Sequence, residues 1–172
     1  LDLDNTLWGG VLGEDGLEGI ELGLEPPGNA FYEFQKAVKA MQRRGIILAI
    51  NSKNDLDLVR EAFENHPNML LKLSDFACIR TNWKDKAQNM REIADELNLG
   101  LTSFVYFDDN PAERFLIRQQ MPEVLTVEVP EDYSEYTRTL LNLDVFETLS
   151  LTEEDKNRTR FYQTEEERRR LK

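Results

Sequence analysis

Apolar residues along this chain fall into two alternating rhythms. Residues 29–44 place Phe31, Phe34, Val38 and Met41 on one helical stripe, with Gly45 as its stop. The next run, 46–50, is short and continuously apolar, the pattern of a strand covered on both faces. Helical spacing returns over 55–65 through Leu56, Val59 and Phe63. It returns again over 84–98 through Met90, Ile93, Ala94 and Leu97, with Gly100 closing that helix. Shorter apolar runs at 76–79, 104–107 and 124–129 read as further strands, the last ended by Pro130. Pro111 fits the first turn of a helix reaching about residue 120. Strand and helix in alternation predict an α/β fold, a Rossmann-like parallel sheet flanked by helices.

The last forty or so residues break the rhythm. Residues 133–143 read as a helix, and Thr152-Glu153-Glu154-Asp155 as a helix start with acids in its first turn. Residues 165–170 pair Glu with Arg at helical spacing, as a solvated face or a connector would. The expected organisation is an α/β domain over 1–130 and a helical extension over 131–172 leading to a further domain. The chain opens on Leu1-Asp2-Leu3-Asp4, within what reads as a strand, so a piece of a longer polypeptide is expected.

Charge removes several functions. The 172 residues carry 21 Lys and Arg against 33 Asp and Glu, a formal charge of −12. That balance argues against a broad nucleic-acid or anionic-membrane surface, and neither partner is expected. One Cys and one His exclude an internal disulfide and a Cys/His zinc site. No apolar run nears the roughly 20 residues of a membrane span, and no signal peptide is visible. A cytoplasmic setting is expected.

The candidate chemistry collects at strand ends. In a parallel sheet, ligands bind beyond the carboxyl ends of the strands. Four successive strands end there in reactive groups: Asp2-Leu3-Asp4-Asn5-Thr6, Asn51-Ser52-Lys53-Asn54, Asn82-Trp83-Lys84-Asp85-Lys86 and Asp108-Asp109-Asn110. Together they suit phosphoryl transfer. Asp2 can attack phosphorus, splitting one displacement into two easier ones. Asp4 can protonate the leaving oxygen and then activate water. Mg²⁺ takes a few carboxylates, which Asp2, Asp108 and Asp109 offer. Ser52 can hold a phosphate oxygen, and a lysine from the third loop offsets the crowded negative charge.

In this order, Asp2-x-Asp4-x-Thr6, Ser52, Lys86 and Asp108-Asp109 resemble the four motifs of the haloacid dehalogenase superfamily. The resemblance implies a catalytic domain with Asp2 as nucleophile, Asp4 as acid/base and Lys86, rather than Lys84, as the motif lysine. It implies Mg²⁺ held by Asp2, Asp108, Asp109 and the Asp4 carbonyl, with Ser52, Thr6, Lys53, Asn54 and Lys86 toward phosphate. The gaps between motifs leave no room for a cap domain, so the site is expected to be open. Only a small flap, a hairpin-like stretch over Gly9-Gly10-Val11-Leu12-Gly13-Glu14-Asp15-Gly16, would cover it.

A narrower resemblance rests on Asp4-Asn5-Thr6-Leu7-Trp8-Gly9-Gly10-Val11, Asn82-Trp83-Lys84-Asp85-Lys86 and Phe107-Asp108-Asp109-Asn110-Pro111-Ala112-Glu113-Arg114. These are similar to FkbH-like proteins, capless members (subfamily IIIC) found with polyketide assembly lines. The similarity implies a glyceryl transferase that dephosphorylates 1,3-bisphosphoglycerate and loads the three-carbon unit onto the phosphopantetheine thiol of an acyl carrier protein. A general phosphatase, or a silent scaffold that docks a carrier protein, are the rival readings.

Other residues carry plainer expectations. Thr6 fixes its loop by hydrogen bonding. Trp8 either packs beside substrate or anchors the flap. Cys78 lies inside a strand, as a core residue rather than an acyl carrier, and His66 ends a helix. Lys36, Lys39, Arg43 and Arg44 share one helix, as a solvated face or a docking patch for an acidic carrier.

Overall fold

The structure, a computed structural model, describes residues 1–146 together with 160, 162 and 164. Strand β1 (Leu48–Ser52) pairs in parallel with β2 (Phe76–Thr81), and β3 (Val105–Tyr106) pairs in parallel with β4 (Leu125–Thr126). The opening segment stitches the two pairs together. Leu1 N donates to Ala49 O and Asn51 N to Leu1 O, both at 2.9 Å, while Asp2 N donates to Phe107 O at 3.1 Å. The spatial order is β4, β3, the opening segment, β1, β2. The chain builds β1 and β2 on one side of the opening segment and then β3 and β4 on the other, so its carboxyl end is the topological switch point where α/β sheets place ligands.

Helices cover the sheet much as their apolar stripes predict. Helix α2 (Gly28–Arg43) buries Phe31, Phe34, Val38 and Met41, and Gly45 at φ +92° takes the chain out of it. Helix α3 (Leu56–Asn65) starts at Asp55, whose carboxylate accepts from Asp57 N and Leu58 N. Helix α4 (Lys86–Leu97) begins two residues later than its periodicity implies, because Asp85 captures Ala87 N at 2.7 Å. It ends on Asn98 in the left-handed region, ahead of the expected stop at Gly100. Helix α5 (Pro111–Gln120) has Asn110 as its cap and Pro111 in its first turn.

The glycine-rich flap departs from expectation. Gly9 and Glu21 exchange backbone hydrogen bonds at 3.0 and 2.8 Å, a hairpin at the base only. Between them the chain is helical, α1 (Leu12–Gly19), broken in φ/ψ at Gly16. The cause is local: Asp15 Oδ2 accepts from Val11 N at 2.7 Å while Glu14 N and Asp15 N bond Val11 O. A side chain that satisfies a free N–H at a helix start favours a turn over an extended arm.

The core runs from the opening segment to residue 146. Phe34 and Phe107 lie 4.9 Å apart, and Tyr136 meets both edge-on at 5.7 and 5.5 Å. Tyr136 and Leu140 belong to α6 (Tyr136–Leu141), which follows a short turn, Tyr133–Glu135. The start of the helical extension thus packs on α2. Its later parts, from Thr152 and over 165–170, lie outside the described residues. On α2, Lys36 and Lys39 pair with Glu33 and Asp75, and Arg44 donates to Phe146 O. Three of the four candidate docking cations are therefore already engaged.

One close approach sets the α2 start. A Cβ on Gly28 would lie 2.8 Å from Gly23 N and 3.0 Å from Leu22 N and C, all backbone atoms. Gly28→Ala is therefore expected to cost about 1–3 kcal/mol of stability, as overpacking does, read from the midpoint of urea unfolding.

Candidate active site

The carboxyl ends of the strands bring Asp2, Ser52, Lys86 and Asp108 together in a buried cluster. Lys86 sits at the centre. Its Nζ lies 2.8 Å from Asp2 Oδ2 and 2.6 Å from Asp108 Oδ2. Burial alone would lower the lysine's pKa, but Asp2 and Asp108 outweigh it and raise it, so Lys86 is a cation here. Its helix is held in place by Asn51, whose Nδ2 donates to Lys86 O at 2.8 Å. Asn89 in turn donates to Asn51 Oδ1 at 3.2 Å and to Asn82 Oδ1 at 3.0 Å. Lys84 is half-exposed and pairs with Glu92 at 3.0 Å, away from the carboxylates.

Asp108 is fully buried and heavily supported. Oδ1 accepts from Asn110 N at 2.9 Å, and Oδ2 accepts from the Tyr106 hydroxyl as well as from Lys86. Arg114, itself buried, donates to the carbonyls of Asp108 and Asp109 at 2.9 and 2.6 Å. Tyr106 and Arg114 were not singled out from the sequence. Tyr106 ends β3 two positions before Asp108, and its hydroxyl reaches the Asp108 carboxylate. Arg114 stands one helical turn past Asn110, facing back toward the loop.

Thr6 is fully buried, donating to Asp109 Oδ1 at 3.2 Å and accepting from Asp109 N at 3.4 Å. Through these two bonds Thr6 positions Asp109. Asp4 stands apart from Lys86. Its Oδ1 accepts from Trp8 Nε1 at 2.9 Å and Leu12 N at 3.0 Å, and Oδ2 accepts from Asn54 Nδ2 at 2.9 Å. Trp8 is wholly buried, edge-on to Phe63, so it anchors the flap to Asp4. Asn54, expected at phosphate, is spent orienting Asp4. Lys53, expected there too, pairs with Glu113 Oε1 at 2.6 Å.

Cys78 lies in the core beside Ala77, Ile93 and Leu97, with Arg80 Nη1 at 3.2 Å from its sulfur. His66 caps the end of α3, its Nδ1 accepting from Asn68 N. An apolar groove lined by Leu1, Val38, Met41, Ile47, Phe104 and Leu140 has none of the site's carboxylates in its lining.

The electrostatics leave room for a cation. Asp2, Asp108 and Asp109 each offer an oxygen, all within 4.8 Å of one another. Asp2 Oδ1 is buried with no hydrogen-bond partner at standard distance and angle, although Ser52 lies against the same carboxylate and favours its charged form. Burial, followed by the charge of Asp108, pushes the Asp2 carboxyl above its ordinary range against the pull of Lys86. Burial and the charges of Asp2 and Asp108 push Asp109 up to about 6. One lysine does not balance these acids, and an orphaned carboxylate oxygen among three fits a divalent cation with oxygen ligands. No helix among the described residues is long and apolar enough to cross a membrane.

No family model matches the chain, and no curated protein matches it. A solved structure does: the N-terminal part of the protein BF1531 from Bacteroides fragilis, containing a phosphatase domain complexed with Mg. The two are 48% identical, with a TM-score of 0.84 over 87% of this chain. The match spans 40% of that chain's length. At that likeness, and with parallel strands flanked by helices, this chain has the fold of a phosphatase domain of the haloacid dehalogenase type.

Proposed function

We propose that this chain is a Mg²⁺-dependent phosphatase-type enzyme with Asp2 as nucleophile. More narrowly, it works in the FkbH manner, dephosphorylating 1,3-bisphosphoglycerate and transferring the glyceryl group to an acyl carrier protein in cytoplasmic polyketide biosynthesis. The observation that carries the phosphoryl-transfer reading is the buried Asp2–Lys86–Asp108 cluster with Asp2 Oδ1 left unpartnered. The likeness to a phosphatase domain complexed with Mg supports it. The narrower reading is supported by the motif residues from Asp4 to Arg114. Residues 1–130 act as the catalytic domain and 131–172 as an extension toward a partner or a further domain.

Asp2, Asp108 and Asp109, with the Asp4 carbonyl, would hold Mg²⁺, which would supply positive charge to offset that of the phosphoryl group. Asp2 forms a bond to phosphorus as the bond to the leaving oxygen breaks, and Asp4 gives that oxygen its proton. The Asp4 carboxylate then takes a proton from water, which attacks phosphorus, breaks the aspartyl O–P bond and releases inorganic phosphate. Lys86 holds Asp2 in one orientation throughout. In the transferase, Asp2 takes the phosphate from the C3 oxygen, while the carrier thiol gives up its proton and attacks the acyl carbon, and the C–O bond to the second phosphate breaks with that phosphate leaving as the proton's acceptor.

Incubation with Mg²⁺, 1,3-bisphosphoglycerate and a phosphopantetheinylated carrier, read by intact-protein mass spectrometry, tests both levels. A glyceryl adduct on the carrier that is lost in Asp2→Asn supports the transferase. Free phosphate with an unmodified carrier leaves a general phosphatase. Phosphate release unchanged in Asp2→Asn would sink the assignment altogether.

The Asp4 setting makes a smaller prediction. Asn54→Ala removes the donor on Asp4 Oδ2 and leaves Trp8 and Leu12 on Oδ1. Phosphate release is expected to fall about tenfold in kcat, the equivalent of one charge-assisted hydrogen bond that orients an acid. Steady-state kinetics with KM near the wild-type value would check it.

A further inference from the structure

Lys53 and Glu113 join the two loops that flank Asp2. Lys53 follows buried Ser52 at the end of β1, and Glu113 lies in the first turn of α5, just past Asp108 and Asp109. Strands β1 and β3 are the two neighbours of the opening segment, so a side-chain bridge between the loops after them closes over the end where Asp2 sits. That bridge is the Lys53–Glu113 pair at 2.6 Å.

Its two halves are unequal. The Lys53 side chain is 41% exposed and that of Glu113 only 12%. Glu113 Oε2 is buried and makes no hydrogen bond. The solvated ammonium end lets Lys53 change partners, and a ligand anion that draws it away must outweigh the carboxylate left behind on Glu113. Of the lysines after β1 and β2, Lys86 is held by Asp2 and Asp108, and Lys84 by Glu92. Lys53 is the one placed beside Asp2 with an end that a ligand can reach.

We infer that the Lys53–Glu113 pair is a latch over the site, and that Lys53 leaves Glu113 for a second anionic group on the substrate. The site then selects phosphate esters that carry another phosphate or a carboxylate. This rests on the phosphoryl-transfer reading, which puts the first phosphate beside Asp2. Glu113 competes with the ligand for one ammonium group, so the two ends of the latch act in opposite directions. Lys53→Met removes the acceptor of the second anion, whereas Glu113→Gln sets it free. A pair that only braced two loops would make both substitutions act alike.

Calorimetric titration with Mg²⁺ present tests this with 3-phosphoglycerate and glycerol 3-phosphate. Both are three-carbon phosphate monoesters, and the first alone has a carboxylate. The wild-type chain is expected to bind 3-phosphoglycerate about tenfold more tightly, as one charge-assisted hydrogen bond gives. Lys53→Met should erase that preference and hold glycerol 3-phosphate within about twofold, and Glu113→Gln should widen it. Equal wild-type affinities, no binding of either ligand, or both variants moving both ligands in one direction would overturn the latch. Phosphate release from the same samples separates the two ideas: selectivity without release overturns the phosphatase reading and keeps the latch, and release without selectivity does the reverse.

Discussion

Asp2→Asn is expected to lower phosphate release about 10³-fold or more while leaving a folded protein that, free of metal, is no less stable than the wild type at pH 8. The loss follows from the chemistry. An amide has no anionic oxygen to bond to phosphorus, and removing a nucleophile collapses both halves of a double displacement. The stability expectation follows from burial. Asp2 is nearly the same size as Asn, and burial with the Asp108 charge beside it raises its pKa in the folded protein despite Lys86. A carboxyl whose folded pKa is raised binds protons more tightly when folded than when unfolded. Its contribution is therefore fully present below the unfolded pKa and is lost as pH rises through the folded value. The neutral amide escapes that loss. Urea unfolding without Mg²⁺ should show the variant gaining on the wild type between pH 5 and pH 8. A variant that unfolds more easily at pH 8 would mean that the Lys86 pairing outweighs burial.

The same balance of local and distant forces decides how much of the molecule was legible in its sequence. Helices α2, α3 and α5 followed from apolar spacing, glycine stops and Asx or Pro starts, all of which act within a few residues. So did the strand ends where acids collect. The flap did not, because Gly9, Gly10, Gly13 and Gly16 read as an extended turn while Asp15 reaches back to Val11 and winds it into helix. Which strands flank the opening segment was also hidden. It depends on Leu1 and Asp2 bonding Ala49, Asn51 and Phe107, partners about 50 and 105 residues away.

Within the site, residue types announced the acids and Lys86, but which polar neighbour serves which acid is a property of packing. Asn54 donates to Asp4 and Thr6 to Asp109, pairings that no spacing along the chain specifies. Tyr106, Arg114 and Asn89 stand in segments that read as ordinary strand or helix. Their importance lies in the buried carboxylate, carbonyls and amide that each of them satisfies.

Lys86→Met is the change expected to cost the most stability. It keeps the length of the side chain in a site where Lys86 is 3% exposed, and removes the charge that lies between Asp2 and Asp108. Taking away one partner of a buried ionic group leaves the other uncompensated, at about 3–5 kcal/mol. Here two carboxylates lose the same partner, and each then repels the other and Asp109. The pH dependence has a definite sign. Without the lysine, only the Ser52 contact still favours the Asp2 charge against burial and the neighbouring acids, so its folded pKa rises further and the penalty grows as pH climbs. In metal-free urea unfolding, the deficit against wild type should be larger at pH 8 than at pH 5. Lys84→Met is the control, since Lys84 is half-exposed and its pair with Glu92 is a surface one, expected to contribute little at either pH. Equal losses from the two lysines would mean that Lys86 is not the charge that lets these acids share one buried site.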